Sequence, residues 1–159
     1  MHHEYMLWIC TAGYALHVME EYEFNWRDWA RNVLHLPVGW TTFYLANAAV
    51  IVLGACCSMV GWREPSFSLS YPALMLINAV CFHFAPTVAT RIYSPGLATA
   101  VVIFLPAGLW TYYIAWVDGA LTISSGLLSL LLGAAIMAYP IVLLKIRQKS
   151  GATSPDDAP

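Results

Sequence analysis

Charge is the scarcest commodity in this sequence: Asp, Glu, Lys and Arg together make up 10% of 159 residues, and the formal net charge is -2. The seven Lys and Arg are scattered and form no basic stripe, which excludes a nucleic-acid partner. The four cysteines, Cys10, Cys56, Cys57 and Cys81, show no CxxC or zinc-ribbon spacing and fall inside apolar runs, so they read as free thiols packed in helices. What is abundant is apolar: 60% of residues are hydrophobic, with seven Trp, nine Tyr and six Phe, and the mean hydropathy is +0.64. That content excludes disorder for the bulk of the chain. Five membrane spans at about 20 residues each would consume roughly 100 positions. Only short loops and a tail remain, so a separate soluble catalytic domain is excluded.

The apolar runs lie at about residues 5–19, 39–61, 67–90, 95–117 and 121–144. The first is short for a crossing and stops at Glu20, Glu21 and Glu23. It lacks the basic start and small-residue cleavage pattern of a signal peptide. The sequence therefore predicts an all-α polytopic membrane bundle of about five transmembrane helices plus one interfacial amphipathic helix. Residues 1–146 form a single helical membrane domain, and 147–159 form a disordered tail. Arg27, Arg31, Arg91, Lys145, Arg147 and Lys149 fall on one side of such a bundle and only Arg63 on the other. The positive-inside rule then places the chain in the cell membrane as a multi-pass protein, N-terminus outside and C-terminus cytoplasmic.

The amphipathic helix is read between the first two runs. Trp26, Trp29, Ala30, Val33 and Leu34 recur on one face, with Asn25, Arg27, Asp28, Arg31, Asn32 and His35 on the other, and the pattern stops before Pro37. Such a helix lies in the membrane plane with its arginines near lipid phosphates, or packs under the bundle with no lipid role.

Ionisable groups inside a membrane mark the place to look for chemistry. His17, Glu20 and Glu21 stand at i, i+3 and i+4, so on an ideal helix the two carboxylates flank the imidazole by about 60 and 40 degrees. Tyr14 and Cys10 continue the stripe. Two acids beside an imidazole need a positive partner: a protonated His17, one of Arg27, Arg31 and Arg91, or a metal ion. Glu23 reads as a solvated boundary marker. His83 lies about 12 Å inside the end of the third run, eight residues before Arg91, and Asn47 sits at a similar depth in the second. Pro86 removes the backbone bond to the Phe82 carbonyl. Asn78, five residues before His83, is rotated about 140 degrees from it on an ideal helix and is read as bonding a neighbouring helix rather than sharing the site. Ser94 and Pro95 read as an N-cap and first helical residue, and Arg91 as a binder of lipid headgroups or a neutraliser of Glu20 or Glu21. Further on, Ser125, Ser129 and Gly133 form a small-residue packing stripe, and Trp110, Tyr112, Tyr113 and Trp116 an aromatic belt.

The run His17-x-x-Glu20-Glu21, followed by a Trp-rich amphipathic segment, resembles the integral membrane proteins of unknown function named for their HXXEE motif. The stretch from Asn78 to His83 and the turn Tyr93-Ser94-Pro95-Gly96 are similar to that family as well, over about residues 5–145. The resemblance implies a helical membrane domain and supplies no reaction.

Three functions compete on the residues. The first is a membrane enzyme acting on a lipophilic small molecule, with Glu20 or Glu21 as general acid or base and His17 or His83 as proton partner. In the second, His17, Glu20, Glu21 and His83 ligate a divalent metal, iron, manganese or zinc, although the spacing fits no standard HExxH or di-iron signature. Asn47, Asn78, Arg91 and Tyr14 are supporting residues in both. In the third the cluster merely fastens helices in a non-enzymatic module, a small transporter or an assembly subunit. No internal repeat of the kind carriers show is visible. Membrane lipids are the expected partners; substrate and oligomeric state are not legible.

Overall fold

A computed structural model describes the backbone of residues 3–149 and side-chain surroundings to Ile146. Residues 150–159 of the polar tail lie outside the described residues. All regular structure among those described is helical: α1 (Tyr5–Glu23), α2 (Trp26–Val33), α3 (Trp40–Val60), α4 (Pro65–Thr90), α5 (Leu97–Val117) and α6 (Ile123–Lys149). α6 thus carries the helix through Lys149, past residue 146.

Among the described residues, four helices are long and apolar enough to cross a membrane, those that begin at Trp40, Pro65, Leu97 and Ile123. α1 is 19 residues long but closes on Glu20, Glu21 and Glu23, which is why it falls outside that set. The surface of the bundle is apolar: Val102 is 72% and Leu131 68% exposed, with Val52 and Met59 similarly outward. A soluble protein would bury such side chains, whereas hydrocarbon solvates them.

α1 runs the length of the bundle, packed on α3 and α5. At its start, the His3 backbone N–H and ring Nδ1 meet the Asp118 carboxylate at 2.7 and 2.9 Å, and Glu4 Oε1 accepts from the Trp62 backbone N–H at 2.8 Å. At its other end Glu20 meets the loop before α5. These two anchorages set α1 antiparallel to α3 and α5.

Because lipid gives helices no hydrophobic reason to associate, close packing and polar ties must hold them. The small-residue stripe does the first. A side chain at Gly133 would come within 2.8 Å of the α4 backbone at Leu74, so the stripe packs inside the bundle. Tyr112, read as part of an aromatic belt, instead ties helices, its hydroxyl 2.7 Å from Ser129 Oγ and donating to the Leu69 carbonyl at 3.3 Å. Cys10 and Cys57 are buried free thiols, while Cys56 and Cys81 are free and exposed on outer faces.

α2 packs its apolar face beneath the bundle, with Trp29 and Ala30 buried against Val38 and Phe43. Arg31 Nε donates to the Val38 carbonyl at 2.7 Å and fastens the connection that follows. On the polar face the Arg27 guanidinium beside Asp28 holds that carboxyl below its ordinary range.

Two stretches depart from α geometry: 79–84 in α4 and 100–104 in α5 are π-helical. Each sits just before a proline, Pro86 or Pro106, whose missing N–H loosens the regular ladder. The two segments pack on each other.

Candidate functional site

On α1, His17 and Glu21 are one turn apart and face inward, 1% and 4% exposed. Glu20 faces elsewhere. One residue of rotation takes it to the loop after α4, so the two adjacent acids of the sequence have different surroundings.

The Glu20 carboxylate collects donors from that loop. Oε1 accepts from the Tyr93 hydroxyl at 2.8 Å and from the backbone N–H groups of Gly96 and Ala98 at 3.2 Å each. Oε2 accepts from the Thr99 N–H at 2.8 Å and the Thr99 hydroxyl at 2.5 Å. The first N–H groups of a helix have no partner within it, and an anion there is favoured by the helix dipole. Glu20 therefore caps α5 from another helix. Ser94 is not the cap that its sequence position suggests: Gly96 takes that place, Pro95 precedes the helix, and the Ser94 hydroxyl turns inward.

His83 comes from the π-helical part of α4 and is fully buried. The Phe82 carbonyl, whose backbone donor Pro86 removes, accepts from Ser94 Oγ at 3.4 Å, and the same Oγ lies 3.0 Å from His83 Nδ1. On α1 the equivalent contact is His17 Nδ1 to Thr99 Oγ1, 2.8 Å. The Thr99 hydroxyl has one proton, which goes to Glu20, so it accepts from His17 Nδ1–H. The free lone pair of that imidazole is then on Nε2.

Both Nε2 atoms point into the same space. They lie 3.5 Å (His17) and 3.6 Å (His83) from Glu21 Oε1, and all three donor atoms fall within 4.8 Å of one another. Neither Nε2 has a hydrogen-bond partner. The rings meet edge to face with centroids 4.8 Å apart, and Phe104 closes the His17 side at 4.3 Å. Two ligands each about 2.1 Å from a tetrahedral ion stand about 3.4 Å apart, close to both histidine–carboxylate separations. Gly96 seals the cluster. Its φ of +94° suits glycine, and a Cβ there would fall 2.7 Å from the Cε1 of both histidines and 3.0 Å from Glu21 Cγ.

The family described as proteins of unknown function with the HXXEE motif matches residues 8–111, more than half of the chain. The chain belongs to the HXXEE family. No curated protein and no solved structure matches it. The H and the second E of the motif are thus the paired His17 and Glu21, and the first E is the loop anchor Glu20.

The remaining expected residues divide. Tyr14 donates its hydroxyl to Asn47 Oδ1 at 2.8 Å, and both line a cavity that reaches Glu21. Asn78 lines that cavity too. Its Nδ2 does reach a neighbouring helix, at Met137 Sδ, 3.9 Å away. Arg91 is exposed and pairs with neither Glu20 nor Glu21, because backbone donors already serve Glu20. Ser94, Gly96 and Thr99 were missed as parts of the site. The Tyr93-Ser94-Pro95-Gly96 turn carried a signal for two of them; nothing in the spacing pointed to Thr99.

Proposed function

We propose that this HXXEE protein is a membrane-embedded metalloprotein whose His17, Glu21 and His83 hold one divalent cation and act on a lipophilic small molecule. One observation carries the reading: two buried imidazole Nε2 atoms without hydrogen-bond partners converge on one carboxylate, each ring held from behind by a hydroxyl at Nδ1. Three acceptors facing each other without a cation would repel, and a buried polar atom left unpaired costs about 1–3 kcal/mol. Hydroxyl contacts at Nδ1 are the outer-shell arrangement that orients metal-ligating histidines. Two imidazoles and a carboxylate suit iron(II), zinc or manganese. Such an ion supplies Lewis acidity or a water acidic enough to react near neutral pH. Glu20, its oxygens already filled by donors, positions Thr99 and through it the His17 ring.

The same reading takes α1 as a fifth crossing, since it runs alongside α3 between anchorages at both ends. The basic residues then orient the bundle in the cell membrane, N-terminus outside and C-terminus cytoplasmic. The metal site lies in the inner half of the bilayer, α2 at the inner surface against lipid headgroups.

The test is metal content of the full-length protein purified in detergent without chelator, tag removed, by mass spectrometry. About one equivalent of iron, zinc or manganese is expected in the wild type, with near-complete loss in His17→Ala and Glu21→Gln of unchanged elution profile. Metal-free wild type, or equal loading in the variants, rejects the site and leaves the cluster as a helix fastener.

A further inference from the structure

Between α3 and α6 a groove runs in from the outer face of the bundle. Its outer part, about 460 Å³, is lined by side chains of these two helices, including Leu45, Ala49, Leu53 and Leu143. From Thr42 to Leu53 it extends about 16 Å along α3 at 1.5 Å per residue. Thr42, Ala46, Val50, Ile136, Pro140 and Leu144 also line a second, inner chamber of about 90 Å³, so the two adjoin. Glu21, Asn78, Asn47, Tyr14 and Trp26 bring polar groups to that chamber.

The polar end differs sharply from the walls. Asn78 is 94% buried by its 6% exposure, and its Oδ1 has no hydrogen-bond partner. Its Nδ2 is turned to Met137, and Asn47 Oδ1 is already taken by the Tyr14 hydroxyl. Of the groups lining the chamber, Asn78 Oδ1 and the Glu21 carboxylate accept hydrogen bonds, while the Trp26 indole N–H, also buried without a partner, donates one. A buried acceptor without a partner calls for a donor. A second carboxylate here would face both acceptors, and an alkane would leave Asn78 unpaired. The inner volume is also small. A cavity needs about 10–15 Å³ to hold one water, so the chamber takes a chain end of a few heavy atoms and not a fused-ring system.

We propose that the groove between α3 and α6 binds a long-chain primary alcohol, its hydroxyl donating to Asn78 Oδ1 beside Glu21 and its hydrocarbon chain lying along α3 toward the lipid. This names the substrate class of the metal site and rests on the reading of that site and of the bundle as membrane-embedded. The chain enters sideways from the bilayer, where such an alcohol is dissolved, and needs no aqueous path. Ala46 lines both the outer groove and the inner chamber, so the chain passes it on the way in.

The experiment is equilibrium binding of tritiated 1-hexadecanol to full-length protein in phosphatidylcholine nanodiscs, with unlabelled 1-hexadecanol, hexadecane and palmitate as competitors. Saturable binding is expected, displaced by 1-hexadecanol at least tenfold more effectively than by hexadecane or palmitate. Asn78→Leu, which keeps the branching and heavy-atom count of the side chain and removes the acceptor, should weaken binding at least tenfold with metal content unchanged. Ala46→Trp should block it from the lipid side, and decides the matter if Asn78→Leu does not elute as a single species. Equal displacement by hexadecane or palmitate, or wild-type binding by both variants, overturns the assignment. Metal-loaded protein that binds no hexadecanol removes this inference and leaves the metal site standing. Selective hexadecanol binding by a wild type that carries no metal removes the metal site and leaves the groove.

Discussion

His3 with Asp118 at one end of the bundle and His17, His83 with Glu21 at the other are both histidine–carboxylate contacts, yet they differ in what is left over. At the first, Asp118 accepts from the His3 backbone, the His3 ring and the Trp62 indole at 2.7, 2.9 and 3.0 Å, while Glu4 takes the Trp62 backbone N–H. The polar atoms there find partners in the protein. At the second the contacts stretch to 3.5 and 3.6 Å, and two imidazole nitrogens stay unpaired although the residues are almost fully buried. A satisfied cluster fastens helices; an unsatisfied one reserves its lone pairs for something else. Glu20 and Glu21 repeat the contrast within two residues of one helix.

Substitutions should pull these two behaviours apart. The largest effect is expected from Gly96→Ala, which puts a Cβ against both histidines at a positive φ; backbone strain alone costs about 1–3 kcal/mol. Thermal unfolding in detergent should show a clear loss of stability together with loss of metal, and a fully loaded variant of wild-type stability would contradict the packing described. Next, His83→Ala should leave less than a tenth of the wild-type metal content, by mass spectrometry, and remain folded. Asp118→Asn should do the reverse, lowering the unfolding temperature at unchanged metal content. If both variants lost metal equally, the two ends would not differ in kind. Thr99→Val, which removes the hydroxyl behind His17, should weaken metal affinity by about 10–100-fold, the usual cost of losing an outer-shell partner, as read by competition with a chromogenic chelator.

The smallest effect is one of pH. The His3 backbone N–H, with the His3 ring and the Trp62 indole, holds the Asp118 carboxyl below the ordinary carboxylate range. A carboxyl lowered on folding contributes stability above its unfolded value, about 4, and loses it as pH falls toward the folded value. The unfolding temperature of wild type should therefore drop more steeply than that of Asp118→Asn between pH 5 and 3. Parallel curves would show that the Asp118 contacts contribute nothing to folding.

The helices were legible from the chain because lipid solvation makes their code one-dimensional. A run of about 20 apolar residues is a candidate span wherever it occurs, and Trp40–Arg63, Pro65–Thr90, Leu97–Val117 and Ile123–Ile146 begin and end within a few residues of the runs that announce them. The amphipathic pattern from Trp26 likewise became α2, because period alone fixes which face is apolar. His17, Glu21 and His83 stood out by the cost of ionisable groups in apolar surroundings. Three things the sequence did not decide. It did not separate Glu20 from Glu21, since their roles depend on a loop more than 70 residues away that supplies N–H donors to one and not the other. It did not set the π-helical turn ahead of Pro86, since a missing N–H tells where the ladder loosens and not how it re-forms. And it passed over Thr99, Ser94 and Gly96, small residues without charge, whose importance is wholly one of position: two hydroxyls behind two imidazoles, and a missing Cβ between them. Composition and period determine which segments become helices, whereas only the packing of α1, α4 and α5 on one another decides which polar atoms are satisfied and which are left free to bind.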